Sequence, residues 1–150
     1  ILDPNEARLQ IAKSFQADHC INAAKENAVE SIGALTAGNG VDLIFTATAD
    51  PNVPQQALAC ISKGGQIVLF AGLPKGQSIL PLDFNQLHYN CLRLIGSSIY
   101  APRHHAEALR LIADQKIDVK RILSPYPLAQ FQQGVQAAMS GKIIKAVFIP

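Results

Sequence analysis

The chain has 150 residues, enough for an ordinary domain that buries about two-thirds of the surface its unfolded form exposes. Its 49% hydrophobic and 16% charged residues, with ten glycines and nine prolines spread along the length, exclude a disordered or collagen-like protein. A net charge of +2, without any Lys/Arg block beyond pairs such as Lys120-Arg121, gives no electrostatic case for nucleic acid, and no apolar run approaches the ~18 residues of a membrane helix.

Ile1-Leu2-Asp3 reads as a short strand, followed at once by a helix over Asn5 to Gln16 with Ala7, Ile11 and Phe15 on one stripe and Ala12 beside them. His19-Cys20-Ile21 is a second short strand, and Glu26 to Leu35 a helix with Val29, Ile32 and Leu35 inward. The Gly38-Asn39-Gly40 turn launches a strand from Val41 to Ala47. Pro51 to Ile61 is helical, and Lys63-Gly64-Gly65 turns the chain into the strand Gln66 to Ala71, whose unbroken apolar run suits burial on both faces. Gly72 to Gly76 is a loop at the carboxyl end of that strand, where ligands of open α/β sheets collect. A short helix over Asp83 to Tyr89 and a strand from Leu92 to Ile99 follow, then a helix from Pro102 through Ala113 with Ala106, Leu109 and Ile112 on one face. Ile122-Leu123-Ser124 is extended, Leu128 to Ser140 helical, Gly141 a stop and Ile143 to Ile149 a last strand. Strands alternating with helices from end to end predict an α/β fold, a mainly parallel sheet covered by helices on both faces.

Two roles are open to Asp3. Asp-Pro-x-Glu sets an N-cap acid before a first-turn proline, with Glu6 at the capping-box position. An acid ending the second strand of a dinucleotide fold also binds the adenosine ribose, with a glycine-rich loop about 20 residues earlier. No such loop precedes Asp3 here, and none is found elsewhere. Gly38-x-Gly40 is followed by a strand instead of a helix, and Gly72 to Gly76 lacks the Lys-Ser/Thr of a phosphate loop. His104 and His105 are adjacent in the first turn of a helix and point apart, with Glu107 a weak third ligand, so solvated or cap-associated histidines are expected and no metal site. His88 beside Tyr89 reads as a packed pair. Cys20, Cys60 and Cys91 are odd in number and far apart in apolar surroundings, which predicts buried free thiols in a reducing, cytoplasmic setting. The start carries no basic segment leading into an apolar stretch, so no signal peptide is expected. No nucleophile setting is recognisable, and no catalytic residue is assigned.

Asp3-x-x-x-x-Arg8-Leu9-x-x-Ala12 with Ala17-Asp18 after it, Gly64-Gly65-x-Ile67 through Gly76, Asn85-x-x-His88-Tyr89 and Ser140-Gly141-Lys142-x-x-Lys145 keep one order and spacing along essentially the whole chain. In this the chain resembles the zinc-containing medium-chain alcohol dehydrogenase family, and within it the sorbitol (iditol) 2-dehydrogenase-like group. The resemblance implies a carboxy-terminal portion: residues 1–121 as an incomplete Rossmann-type doubly wound sheet, lacking its first strand and glycine-rich loop, and residues 122–150 as a helix-strand segment returning to a catalytic domain. It implies NAD as cofactor, zinc held by ligands in an amino-terminal part, and a polyol or secondary alcohol as substrate, with the isolated chain inactive. A non-catalytic nucleotide-binding or oligomerising fragment, and a zinc-free quinone reductase relative, are the alternatives.

Residue by residue, the resemblance assigns Asp3 to the adenosine ribose and Arg8 to the same ribose or the adenine edge. Thr46, Ala47 and Thr48 flank the adenosine side, although the family often has Glu at the place of Thr46 and Gly at that of Ala49. Backbone groups of Ala71, Gly72, Leu73, Ser97 and Ile99 hold the nicotinamide end, Lys145 reaches the pyrophosphate, and Tyr100 is a candidate for the substrate pocket wall. An acid at Asp3 favours NAD over NADP, because a 2′-phosphate would meet a like charge. The apolar strand Leu92 to Ile99 reads as a sheet edge inviting a homo-oligomer.

Overall fold

The computed structural model describes residues 1–150. In chain order the elements are β1 (Leu2–Asp3), α1 (Glu6–Ser14), β2 (Ile21–Asn22), α2 (Ala28–Leu35), β3 (Val41–Thr46), α3 (Val53–Cys60), β4 (Ile61–Leu69), α4 (Phe84–Tyr89), β5 (Arg93–Gly96), α5 (Pro102–Ala113), β6 (Leu123–Pro127), α6 (Phe131–Met139) and β7 (Lys145–Ile149), with short 3₁₀ turns at Val119–Ile122 and Leu128–Gln130. The strands form three sheets: β1 with β2, β3-β4-β5, and β6 with β7. Two compact units result, one of Leu2 and Ile21–Ile99, the other of Ile1, Asp3–Cys20 and Tyr100–Pro150.

In the first unit β3, β4 and β5 run parallel, with β4 in the middle. Its apolar run is buried as expected on both faces: Ile67 is 1% exposed, and Val68, pointing to the other side, is buried too. On the Ile67 face, Ala57 and Leu58 of α3 complete a core, with Ile44, Ile61, Leu69, Leu82, Leu87 and Leu92 packed around it. The Asp83 side chain caps α4 by accepting from the Asn85 and Gln86 amides, and Gln86 Nε2 donates to the Leu58 carbonyl at 2.8 Å, fastening α4 to α3. On the same face as Val68, Leu43 and Phe45 of β3 stand exposed.

Several boundaries move, each for a local reason. Asn27 caps α2 by accepting from the amides of Val29 and Glu30, so this helix begins after Glu26. Ala28 is its buried residue, and Leu35 faces outward. The second strand is Ile21–Asn22 and excludes His19 and Cys20. Lys63-Gly64-Gly65 is not a turn between elements but lies inside β4, which starts directly after α3. Between the pairs Val41↔Ile61 and Leu43↔Gln66 the register shifts, and Gly64 takes up the irregularity at φ +78°. Gly65 is buried there because the Ile61 side chain lies where a Cβ would go, 2.6 Å from its Cγ1. The thiols also depart from expectation: Cys60 is buried, Cys20 is half-buried, and Cys91 is exposed in a left-handed backbone turn at φ +54°.

The second unit is built from α1, α5, α6, β6 and β7. Leu9 is the residue α1 buries, at 2% exposed, while Phe15 lies beneath the Arg121 guanidinium, 5.8 Å from its ring centre. Arg121 also donates to the Ser14 carbonyl at the end of α1. α5 has the predicted range but no buried residue. β6 and β7 pair in parallel from Leu123↔Lys145 to Pro127↔Ile149. Phe148 of β7 packs on Phe131, with ring centres 4.8 Å apart, and on Tyr126 at 6.2 Å. Gly134 of α6 is buried against the same rings, which occupy the space a side chain would need.

Candidate cofactor site

The register of the three-stranded sheet places Thr46, Leu69 and Gly96 side by side at the carboxyl ends of their strands. Beyond them run the loops carrying Ala47 and Thr48, Ala71 to Leu73, and Ser97 to Ile99, so the structure brings together the sequence-predicted residues of this unit. The backbone there is tied crosswise. The amides of Phe70 and Ala71 both donate to the Thr46 carbonyl, at 3.2 and 3.0 Å, and the Ser97 amide donates to the Leu69 carbonyl at 3.0 Å. Ala71 and Ser97 can therefore offer a ligand their carbonyl acceptors, and Ser97 its hydroxyl as well, but not their amides. Thr46 is a strand residue, not a loop residue, and is 4% exposed with its hydroxyl donating to the Val68 carbonyl at 3.4 Å. Its side chain faces the interior, and it lies within the strand expected from Val41 to Ala47. Thr48 is exposed and accepts from the Asp50 amide at 3.3 Å. Ile99 is a β-branched residue at φ +62° with its side chain 93% exposed, a strained conformation of the kind that costs about 1–3 kcal/mol.

The other unit holds Asp3, Arg8, Tyr100 and Lys145. Asp3 does not cap α1. The residue before a proline is held extended, so Asp3 stays in β1, and its Oδ1 instead accepts from the Asn5 amide at 2.8 Å. Asn5 is the cap, accepting from the amides of Ala7 at 2.9 Å and Arg8 at 3.3 Å. The Asp3 carboxylate keeps Oδ2 turned to Arg8, with Nη1 at 3.7 Å. The Ser140-Gly141 turn approaches the same place: a Cβ on Gly141 would lie 3.9 Å from both Arg8 Nη2 and Asn5 Nδ2. Asn5 is thus a site neighbour that the reading of Asp3 as cap concealed, although its own type at that position was the available signal. Lys145 opens β7 and is exposed, and Tyr100 stacks on His105 at 5.8 Å with the rings 17° apart.

His88, His104 and His105 find partners that suit neither a nucleophile nor a metal. His104 Nδ1 accepts from the Ala101 amide at the start of α5, at 3.3 Å, and His88 meets Tyr89 edge-on at 5.0 Å. No group of three or more His, Cys, Asp or Glu is arranged to hold a metal ion. His104, His105 and Glu107 do not fit a zinc centre, since Glu107 is bound by Arg110, whose Nη2 and Nε donate to its two oxygens at 2.6 and 2.9 Å. The Arg110 guanidinium holds the Glu107 carboxyl below the usual range, and Arg121 does the same to Asp118. Burial pushes the Cys60 thiol up, which makes it a poor nucleophile.

Parallel strands ending in line, with loop backbone gathered at their carboxyl ends, define an α/β chain of the Rossmann type. Residues 1–114 match the family model described as zinc-binding dehydrogenase, and the chain belongs to that family. It is 29% identical over 143 residues to sorbitol dehydrogenase of Bacillus subtilis, covering 95% of this chain and 40% of that protein. It is 28% identical over 153 residues to L-threonine 3-dehydrogenase of the same species, covering 99% and 43%. Among solved structures, the alcohol dehydrogenase zinc-binding domain protein from Burkholderia ambifaria superimposes with a TM-score of 0.89 at 25% identity, over 99% of this chain and 41% of that one. Benzyl alcohol dehydrogenase from Acinetobacter calcoaceticus gives 0.88 at 23%, over 98% and 41%. The chain thus spans about two-fifths of the length of the relatives it matches. No helix is long and apolar enough to cross a membrane.

Proposed function

We propose that this chain is the cofactor-binding part of an NAD-dependent dehydrogenase that oxidises a polyol or secondary alcohol. The observation that carries the reading is the pair of backbone acceptors at the strand ends. With their amides engaged, Ala71 and Ser97 present carbonyls, and a ligand group seated there must donate hydrogen bonds, as the carboxamide of a nicotinamide does. Asp3 at the end of β1 takes ribose hydroxyls, and Arg8 holds the carboxylate that disfavours a 2′-phosphate. Gly72, Leu73 and Ile99 contribute further backbone groups, and Lys145 supplies a point charge to the pyrophosphate. When bound, NAD accepts a hydride from the alcohol carbon. In this reading residues 1–121 form the cofactor domain and residues 122–150 the return to a catalytic domain. The zinc implied by the family is held by parts of such an enzyme outside the two-fifths represented here, so this chain binds and positions without catalysing.

Amide-resolved NMR of the chain titrated with NADH and with NADPH tests the proposal. NADH is expected to shift the amides of Asp3, Gly72, Leu73 and Ile99, NADPH to do so less, and Asp3→Asn to narrow the difference. Equal responses to the two cofactors in the unsubstituted chain would remove Asp3 from the site.

A homo-oligomer through β5 belongs to the same proposal. Every residue of this edge strand is exposed, including Leu94 and Ile95, and its free side offers backbone groups to a copy across a two-fold axis. Light scattering is expected to find a dimer that Leu94→Lys returns to monomer. A monomer at high concentration argues against pairing.

A further inference from the structure

We infer that Thr46 is a positioning residue for the nicotinamide end of the site, not a contact on the adenosine side; the inference rests on the cofactor reading above. Three observations converge on it. Thr46 and Asn22 are the two buried polar residues of the chain, and Thr46 is the one that stands at the strand ends. Its hydroxyl donates to the carbonyl of Val68, and its own carbonyl accepts from both Phe70 and Ala71. A single residue of β3 therefore grips β4 on either side of Leu69, at the point where the strand becomes the loop carrying Ala71, Gly72 and Leu73.

The consequence is geometric. A carbonyl that accepts two consecutive amides fixes the direction in which the chain leaves the sheet, because both N–H vectors must converge on one oxygen. That convergence engages the Ala71 amide and leaves its carbonyl as the group available to a ligand. The buried hydroxyl braces the carbonyl from the side, since a β-branched residue held at χ1 and bonded to Val68 cannot swing away from β4.

The test uses the whole chain as Thr46→Val, which keeps shape and burial but removes the donor, and Thr46→Ser, which restores the donor. Amide exchange is read at Phe70 and Ala71, with Ile67 as an internal reference for global opening, and NADH affinity is read from the shifts at Gly72 and Leu73. Thr46→Val is expected to speed exchange at Phe70 and Ala71 by roughly threefold to tenfold over any change at Ile67, the size of one buried hydrogen bond, and to weaken NADH by a similar factor. Thr46→Ser is expected to recover both. Exchange at Phe70 and Ala71 that rises no more than at Ile67 overturns the positioning role, whatever happens to NADH. Local release with unchanged NADH affinity overturns the link to the cofactor while leaving the cofactor reading intact. NADH that shifts no amide of the unsubstituted chain overturns that reading and this inference together.

Discussion

The two compact units contain similar elements but hold them by different means. In the unit of β3, β4 and β5, apolar side chains from two strands, two helices and the segments flanking them converge on Ile67, and Gln86 ties α4 to α3 by a side-chain bond. In the unit of α5, α6, β6 and β7, the periodic apolar residues are present but little buried: α5 buries none, with Leu109 54% exposed, and Leu128, Phe131 and Met139 are exposed as well. Polar and aromatic contacts stand out in this second unit. Ion pairs run along α5, Arg121 clasps the end of α1, and Phe148 packs with Phe131 and Tyr126 beside Gly134. An amphipathic pattern therefore specifies which face a helix would bury, and not that the burial occurs. The strand ends of the first unit rest on that core, whereas Asp3 and Arg8 in the second rest on capping and pairing interactions.

The largest expected effect breaks or upholds this contrast directly. Ile67→Ala removes the most buried large side chain of the molecule and is expected to destabilise by about 2–5 kcal/mol, whereas Ile112→Ala on the exposed stripe of α5 should stay within about 0.5 kcal/mol. Urea unfolding of both variants checks it, and a comparable loss at Ile112 would mean that α5 buries its face in solution. Two helical glycines give the next contrast. Gly33 of α2 has open space around it, so Gly33→Ala should stabilise by about 0.5–1 kcal/mol through helix propensity. At Gly134 the added Cβ would lie 2.6 Å from Phe148 Cε1 and 3.2 Å from Tyr126 Cδ2. Overpacking of about 1–3 kcal/mol outweighs the propensity gain there, and Gly134→Ala is expected to lower the melting temperature and to shift the ring resonances of Phe148. Two substitutions of the same kind with the same sign would show that the aromatic cluster yields easily.

What was legible in the sequence was what burial and chemistry write periodically. Pro102 at a first helical position and apolar steps after it give α5 its observed range. Asp83 announces α4 by the oxygen that a helix start needs. The unbroken apolar run gives β4 its central place, and the isolated apolar stretch at Leu94-Ile95 its place at an edge. What was not legible depends on backbone geometry between elements. Gly64-Gly65 has the composition of a turn but the conformation of an irregularity inside a strand, and only the packing of Ile61 on Gly65 distinguishes them. Cys91 sits at a positive φ that cysteine does not advertise. Asp3 and Asn5 are equally good caps by type, and the proline between them decides in favour of Asn5 by keeping Asp3 extended. Asp3 and Arg8 pair through their side chains, whereas the acceptors at Ala71 and Ser97 are made by main-chain bonds that any residue could form. At Thr46, too, the tie to β4 runs through the carbonyl, which residue type does not announce.

The smallest expected effect probes the local interactions of the second unit by acid. Arg110 lowers the titration of Glu107, and Arg121 that of Asp118, from ordinary values of 4.5 and 3.8. A carboxyl depressed in the folded state binds its proton less readily there than in the unfolded chain, so folding gains from it above the unfolded value. That gain is complete at neutral pH, starts to fall as pH drops past 4.5 for Glu107 and 3.8 for Asp118, and is gone below the lowered folded values. Both side chains are exposed to solvent, so the effect should shrink further as salt is added. Amide exchange within α5 is expected to rise modestly over this acid range, relative to amides of β4, and Glu107→Gln should show the higher rate already at neutral pH with a flatter acid response. Identical pH profiles for the variant and the unsubstituted chain would mean that the exposed ion pairs contribute nothing to holding α5, leaving its order to the His104 cap and the proline at its start.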